Sequence, residues 1–404
     1  MLTKIAWMNI WRNKTRSAIL ITAISLGIWA LIFINGLSIG MVRGYIDKAI
    51  LERTSHIQIH HPAYIEEPEI AHFYQGKDVI TYLDTARLVQ AYSSRIVAQG
   101  MISSAQSSRG ITLYGVDPTR EKTLTNLDMQ VEEGEYLPEE GGNYILIGDK
   151  IAEKLGVKLR SRVVVNFQNT SGDVTAAAFR VAGIIGGRST MTGDDAAYIP
   201  FETLQKLTEM EPGMTHEIAI LLHDQNEIEA FEHTLVSEFD DLSIRDYGEI
   251  APDVVLMGSQ IDISLTIMTV VFMLALIFGI INTMLMAVLE RYKELGMLLA
   301  VGMKKMQVFA LVVWETIFLS MIGVPVGIIL GSLTILITGR QGISLAQWSD
   351  SLTEFGLSTM IYPELYPRQY IIISLAVLIT AVLASLYPAR KATSLNPIEA
   401  LRKI

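Results

Sequence analysis

Glu315 is the one charged residue inside the apolar run from Lys305 to Arg340. A carboxylate at that depth is costly unless it is paired or close to the membrane interface. Lys304, Arg291 or a basic residue of the N-terminal segment could supply the pair, and an acid so paired would pass a displacement from one element to the next; interfacial snorkelling is the plainer alternative. The remaining chemistry-bearing residues point to less. His56, His60 and His61 invite a metal, but a strand puts His56 and His60 on one face and His61 on the other, and the chain has no cysteine, so they read as ordinary surface or core histidines. Gly193, Asp194 and Asp195 read as a turn, not as a calcium or catalytic site. No Ser/His/Asp set or carboxylate pair assembles, which argues against an enzyme. No G-x-x-x-x-G-K-[ST] loop occurs, so any nucleotide hydrolysis belongs to another polypeptide.

The elements that must position these residues are membrane spans. No Asp, Glu, Lys or Arg lies between Arg16 and Arg43, between Asp262 and Glu290, or between Arg368 and Arg390, and the fourth run is broken only by Glu315. Since about 20 apolar residues cross a bilayer, these are four transmembrane helices. The first is too long for a signal peptide and has no clear small-x-small cleavage site, so it is expected to stay as an anchor. Stretches 1–18, 290–308 and 388–404 carry twelve basic residues against Glu290, Glu294 and Glu399, while the whole chain has a net charge of −10. The positive-inside rule therefore places those stretches and both termini in the cytoplasm. The large segment after the first span then lies outside, and its acidity argues against nucleic acid as a partner.

That outer segment cannot be held by disulfides and must bury a core of its own, enough for one or two lobes. "SHIQIHH", "RIVAQGMIS", "RVVVNFQ", "AAFRVAGII" and "EIAILLH" read as strands, and "GDKIAEKLGV" and "NEIEAFEHTLVSEF" as helices, giving an α+β domain. Helical periodicity then runs from Pro252 straight into the second span. "LTKIAWMNIWRNKTRS" predicts an interfacial helix with its Trp rings at headgroup level. Gly323, Gly327 and Gly331 at four-residue spacing predict a close helix-packing seam, with a kink at Pro325. The fourth span is expected to stop at Pro388, with Asn396, Pro397 and Glu399 capping a short terminal helix.

Between spans two and three, Gly296 and Gly302 bracket a turn in which Leu295, Leu298 and Leu299 share an apolar face while Glu290, Lys293, Glu294 and Lys304 stay polar. Such a surface helix would offer its apolar face to a cytoplasmic partner. "ERYKELGMLLAVGMKKMQVFALVVWE" resembles the coupling-helix region of the FtsX/MacB superfamily of ABC permeases, with Arg291, Glu294, Gly296, Gly302 and Glu315 at the matching positions. "YPARKATSLNPIEALR" is similar to that superfamily's C-terminal signature, and "NIWRNKTRSAILITAISLGI" to its first-span entry. In the outer domain "ITLYGVDP", "ILIGDKIAEKLGV", "RVVVNF" and "FRVAGII" resemble the MacB-type periplasmic core.

The resemblance implies a membrane α-helical permease of four spans with a large α+β extracytoplasmic core domain. Its parts would be an interfacial helix (1–18), spans at 19–42, 259–289, 308–339 and 370–388, the core domain (43–258), a coupling helix (290–307), a short outer loop (340–369) and a C-terminal helix (389–404). It further implies a separate ABC ATPase dimer that carries ATP and magnesium, no cofactor on this chain, a second permease copy or paralogue, and motion transmitted mechanically to the outer domains. The coupling residues would be Glu290, Arg291, Glu294, Leu295, Gly296, Leu298, Leu299, Gly302 and Lys304. Length and layout most resemble the lipoprotein-releasing Lol permeases of the inner membrane, which implies a lipoprotein or other lipophilic substrate. The lateral groove would then be lined by Ile32, Asn35, Leu37, Met257, Ile261, Leu265 and Met268. A periplasmic carrier or adaptor is a further expected partner, although the turn "FQNTSGDVTAAAF" is short and lacks the proline of the carrier-binding hook. A MacB-like efflux permease and an FtsX-like regulator of periplasmic hydrolases are the alternatives.

Overall fold

In the computed structural model, residues 2–12, 14–139, 142–186, 195–348, 352 and 357–394 are described. Gly193, Asp194 and the expected terminal helix around Asn396, Pro397 and Glu399 lie outside them. The chain separates into two compact units, one comprising residues 1–43, 259–346 and 360–404, the other residues 44–258 and 347–359.

Helices α1 (Leu2–Arg12) and α2 (Lys14–Ala49) open the chain, and a single π-helical turn at Ile50–Thr54 ends the second. The outer unit follows as β1 (Ile57–His60), β2 (Tyr74–Gln75), α3 (Lys77–Leu83), β3 (Val89–Ser103), β4 (Ser108–Val116), α4 (Pro118–Thr125), β5 (Val131–Gly134), β6 (Tyr144–Gly148) and α5 (Asp149–Leu155). It continues with β7 (Arg162–Gln168), β8 (Val174–Ile185), β9 (Ala196–Pro200), α6 (Phe201–Leu207), β10 (Met214–Thr215), β11 (Glu217–Leu222), α7 (Ile228–Glu238), β12 (Ser243–Asp246) and α8 (Tyr247–Ile250). The chain then runs through α9 (Pro252–Glu290), α10 (Tyr292–Ala300), α11 (Lys305–Gln341), the short pair β13 (Ile343–Ser344) and β14 (Met360–Ile361), and α12 (Pro367–Thr393). Four of these helices are long and apolar enough to cross a membrane: α2 (with the turn after it), α9, α11 and α12.

Ten strands of the outer unit join in one sheet whose path is β12-β1-β11-β3-β4-β9-β6-β8-β5, with β7 bonded to both β3 and β8. The 15-residue β3 makes this possible, because its first half pairs with β11 while its last residues, Gly100–Ser103, pair with β7. The run β3-β4-β9-β6-β8-β7 thus closes on itself and surrounds one core, built on Ile96, Leu113, Ile145, Val165 and Phe179. A second core, with Ile57, Ile59, Ile218, Phe231 and Leu235, lies where α3 and α7 cover the open end of the sheet. Strand β7 shows why the sequence signal is clear: Val163, Val165 and Phe167 point inward while Arg162, Val164 and Gln168 are exposed, the period of a half-buried strand. Its hairpin with β8 is tight. Asn169 Oδ1 accepts from the backbone N–H groups of Ser171 and Asp173 at 3.1 and 2.8 Å, and Gly172 takes the left-handed backbone (φ +86°).

One buried charge cluster sits where the two cores meet. Arg95 on β3 donates to Glu121 on α4 at 2.7 and 3.1 Å and to Glu217 on β11 at 2.7 Å, and all three are buried. The histidines are structural. His56 Nδ1 accepts from the Leu222 N–H at 2.9 Å, and His60 bonds Gln58 and the His216 carbonyl at 3.0 and 3.2 Å. His216 Nδ1 accepts from the Val97 N–H at 3.3 Å while Nε2 donates to the Ile70 carbonyl at 2.9 Å. Among the described residues no cluster of metal-ligating side chains forms.

The membrane unit packs around α11. Gly323, Gly327 and Gly331 form one face of that helix, against Ile24, Ile28 and Ile32 of α2; a Cβ at Gly327 would stand 2.7 Å from Ile28 and 2.8 Å from the Ser25 carbonyl. Ser25 donates to the Gly323 carbonyl at 3.0 Å and Trp29 to Thr334 at 3.0 Å, which ties the same two helices by hydrogen bonds. The fourth long helix departs from expectation: α12 does not stop at Pro388 but continues to Thr393. A proline forfeits one i→i−4 hydrogen bond. Here the ring is buried, and Ala389 and Ala392, strong helix formers packed to 0% exposure, carry the helix past it.

Candidate functional site: an ion-pair chain behind helix α10

The helical path of α9 breaks at Arg291 (φ −98°, ψ 18°), and α10 starts at the next residue. Gly302, with φ +102°, lets the chain turn back toward α11, a conformation a side chain would resist. Within this two-cornered linker Leu295 is 2% exposed and Leu298 and Leu299 are half-buried, all three packed on the core of the membrane unit. This corrects the expectation that the leucine face is offered to a partner: it is what anchors α10 to its own spans. The outward side carries Lys293, Met297, Val301 and Met306, with Val301 84% and Met306 73% exposed. The i, i+4 spacing of Lys293, Met297 and Val301 was the available signal for that face.

Arg291 is the centre of the arrangement. Its Nη1 donates to both oxygens of Glu315, at 3.2 and 3.3 Å, and its Nε donates to Glu294 Oε2 at 3.0 Å. Arg12, the last residue of α1, donates to the same Glu294 oxygen. A continuous chain of alternating charge therefore runs Arg12, Glu294, Arg291, Glu315 and joins α1, α10, the α9–α10 corner and α11. Its two ends differ in character. The Arg291 and Glu315 side chains are 10% and 11% exposed, whereas Arg12 and Glu294 are 53% and 46% exposed. Partial burial raises the Glu294 carboxyl, but its hydrogen bonds from Arg291 and Arg12 outweigh that and hold it below the usual carboxylate range.

Glu315 lies ten residues into α11, about 15 Å from the helix start at 1.5 Å per residue. Arg291 reaches it because the corner after α9 turns the guanidinium inward, against Met284, Val288 and Leu311. Lys304 does not take part. It precedes α11 as N-cap, is exposed, and its backbone N–H donates to Gln307 Oε1 at 2.9 Å. Glu290 and Gly296 flank the chain, the first exposed and the second buried within α10 itself. Helix α1 is held in place by Ala6 and Ile10, both buried, and by Trp7, whose ring meets Phe318 of α11 edge-on at 5.6 Å.

The residues expected to line a lateral groove divide. Ile32 is fully buried against Gly331, so its side chain is spent in the helix seam and is not open to a ligand. Asn35 returns its amide to the Leu31 carbonyl at 2.8 Å, and Leu37 is half-buried. On α9, Met257, Ile261 and Leu265 form a half-buried stripe and Met268 is 47% exposed.

A chain of four membrane helices, with a large mixed α/β unit inserted after the first and an ion-paired elbow between the second and third, has the layout of an ABC transporter permease. Residues 17–237 match the MacB-like periplasmic core domain family and residues 266–397 the FtsX-like permease C-terminal family. The chain belongs to the FtsX-like permeases that carry a MacB-like periplasmic core. It is 23% identical over 98% of its length to an ABC transporter permease of Methanocaldococcus jannaschii (96% of that protein). It is 25% identical over 98% of its length to the lipoprotein-releasing system transmembrane protein LolC of Haemophilus influenzae (97% of that protein). The crystal structure of the periplasmic region of MacB from Actinobacillus actinomycetemcomitans aligns with 52% of the chain and 97% of its own, at 15% identity and a TM-score of 0.38. The protein is thus a membrane-embedded permease component of the kind that works with an ABC ATPase.

Proposed function

We propose that this chain is the inner-membrane permease of an ATP-driven transporter that releases lipoproteins, or another lipophilic substrate, from the outer leaflet by mechanical transmission. In this reading both termini and α10 are cytoplasmic, and a separate ATPase dimer carrying ATP and magnesium presses on the outward side of α10. A second copy or a paralogue of the chain completes the transporter. The observation that carries the reading is the Arg291–Glu315 pair at 3.2 Å, because it fastens the elbow where an ATPase would push to the span that continues the stroke. A displaced α10 cannot leave α11 behind without separating two buried charges, so the push is delivered to the helix rather than absorbed in a loop. The groove assignment is kept for Asn35, Leu37, Met257, Ile261, Leu265 and Met268; the unbranched methionines suit irregular acyl chains. Efflux in the manner of MacB is supported by the match of the outer unit to that core family and is the second reading.

The test is mass spectrometry of what co-purifies with the detergent-extracted protein from its own host without added ATP. Acylated lipoproteins recovered together with an ATPase, and lost on polar substitution of Leu265 and Met268, are the expected result. An ATPase recovered with adaptor proteins and no lipoprotein would move the assignment to efflux.

A further inference from the structure

A cleft of about 550 Å³ opens between the start of α2 and the last turns of α9, lined by Arg12, Lys14, Thr15, Ile19, Asn282, Thr283, Met286 and Glu290. Its composition changes with depth. At the level of the helix ends it presents the cations Arg12 and Lys14 with one acid, Glu290. About 12 Å further in, eight residues before Glu290 at 1.5 Å per residue, it presents the amide of Asn282. Ile19 and Met286, 56% and 63% exposed, supply its apolar walls. Asn282 is the informative residue: an exposed amide on a span is expensive in hydrocarbon, and among the described residues it has no hydrogen-bond partner. Lys14 is likewise exposed and without a partner among the described residues, and Arg12 keeps N–H donors beyond the one given to Glu294.

We infer that this cleft binds one anionic phospholipid, its phosphate between Arg12 and Lys14, its glycerol ester carbonyls at the Asn282 amide, and its acyl chains along Ile19 and Met286. Charge complementarity selects the anionic headgroup, and the amide at ester depth selects a lipid over a free anion or a peptide. The inference rests on the membrane assignment but not on which side of the membrane the cleft faces. It also bears on the coupling elbow, because the phosphate would share the Arg12 guanidinium with Glu294.

The full-length protein in detergent, titrated with phosphatidylglycerol and with phosphatidylcholine of the same acyl chains, tests this by native mass spectrometry. The expected result is one tightly held phosphatidylglycerol in preference to phosphatidylcholine, with Lys14→Gln lowering its affinity about fivefold, the equivalent of about 1 kcal/mol for one basic residue at an anionic surface. Asn282→Leu should weaken both lipids, since the ester carbonyls are common to them. Circular dichroism of each variant confirms that the helices persist. Equal retention of the two lipids, an unchanged affinity in Lys14→Gln, displacement by millimolar inorganic phosphate, or closure of the site by a second copy of the chain would each overturn the proposal. Loss of lipoprotein release alone would leave it standing.

Discussion

Replacing Glu315 with glutamine keeps the shape of the side chain and removes its charge, leaving the buried Arg291 guanidinium facing a neutral amide. Two unit charges at about 4 Å attract by about 4 kcal/mol where the effective dielectric constant is about 20. Removing one partner of a buried pair costs about 3–5 kcal/mol, because the survivor keeps its desolvation penalty. Arg291→Gln should cost a similar amount. By contrast Arg12→Gln cuts an exposed pair and should cost no more than about 1 kcal/mol. Glu315→Leu combined with Arg291→Met removes both charges of the pair and should recover part of the stability while leaving the coupling lost, since the Arg291–Glu315 tie between the α9–α10 corner and α11 is gone. The assay is thermal stability in detergent, read beside transport-coupled ATPase activity of the permease and its ATPase in proteoliposomes. If Glu315→Gln retained full coupled activity, or if its stability loss matched that of Arg12→Gln, the ion-pair chain would be packing and not transmission.

Other consequences can be checked separately. His216 uses Nδ1 as acceptor and Nε2 as donor, so only its neutral form fits, and burial pushes its pKa down to about 4. The unfolded chain takes up that proton first, near pH 6.5, so its contribution is complete above that pH and is lost as pH falls toward 4. The loss approaches about 3 kcal/mol at 1.36 kcal/mol per pKa unit, and a His216→Gln variant of the outer unit should show a flatter acid unfolding profile by circular dichroism. Arg95→Met strands Glu121 and Glu217 in the core and should destabilise the outer unit by about 3–5 kcal/mol in chemical denaturation, more than either Glu→Gln change alone. Gly327→Ala meets the Ser25 carbonyl as well as Ile28, so α2 and α11 must separate, at about 1–3 kcal/mol, seen as a lower melting temperature in detergent. Because the chain has no cysteine, a single Lys293→Cys can be labelled on a clean background; reaction from the cytoplasmic side alone is the expected result.

The spans were legible because charge is excluded from them, and the strands β7 and β11 because alternation or an unbroken apolar run marks them. The family match likewise follows motifs readable along the chain. What could not be read was partnership. Arg291 and Lys304 were equal candidates for Glu315, and the corner turns Arg291 inward to it while Lys304 is spent as a helix start. Leu295, Leu298 and Leu299 were recognisable as one face, yet periodicity does not say whether such a face looks toward its own bundle or a partner. Ile32 failed as a groove residue for the same reason: its role is decided by Gly331, almost three hundred positions away. The closure of β3 through β7 depends on the length of one strand and the register of its far end, neither of which local pattern carries.

Of the four long helices, α9 has the fewest neighbours in its own chain: 11% of its most apolar window is buried, against 39%, 22% and 33% for α2, α11 and α12. One face of it is held, by Met273 beneath the Thr380 hydroxyl, Leu276 against Gly27 and the buried Ile280, while most of the rest is uncovered by its own chain. Lipid tails are as apolar as the side chains they would replace, so exchanging one covering for another is nearly isoenergetic. Repacking around this helix therefore meets little resistance compared with prising apart the glycine seam of α2 and α11. If the permease works by mechanical transmission, as proposed, α9 is the helix whose displacement would cost least, and the α2–α11 seam the frame against which it would swing.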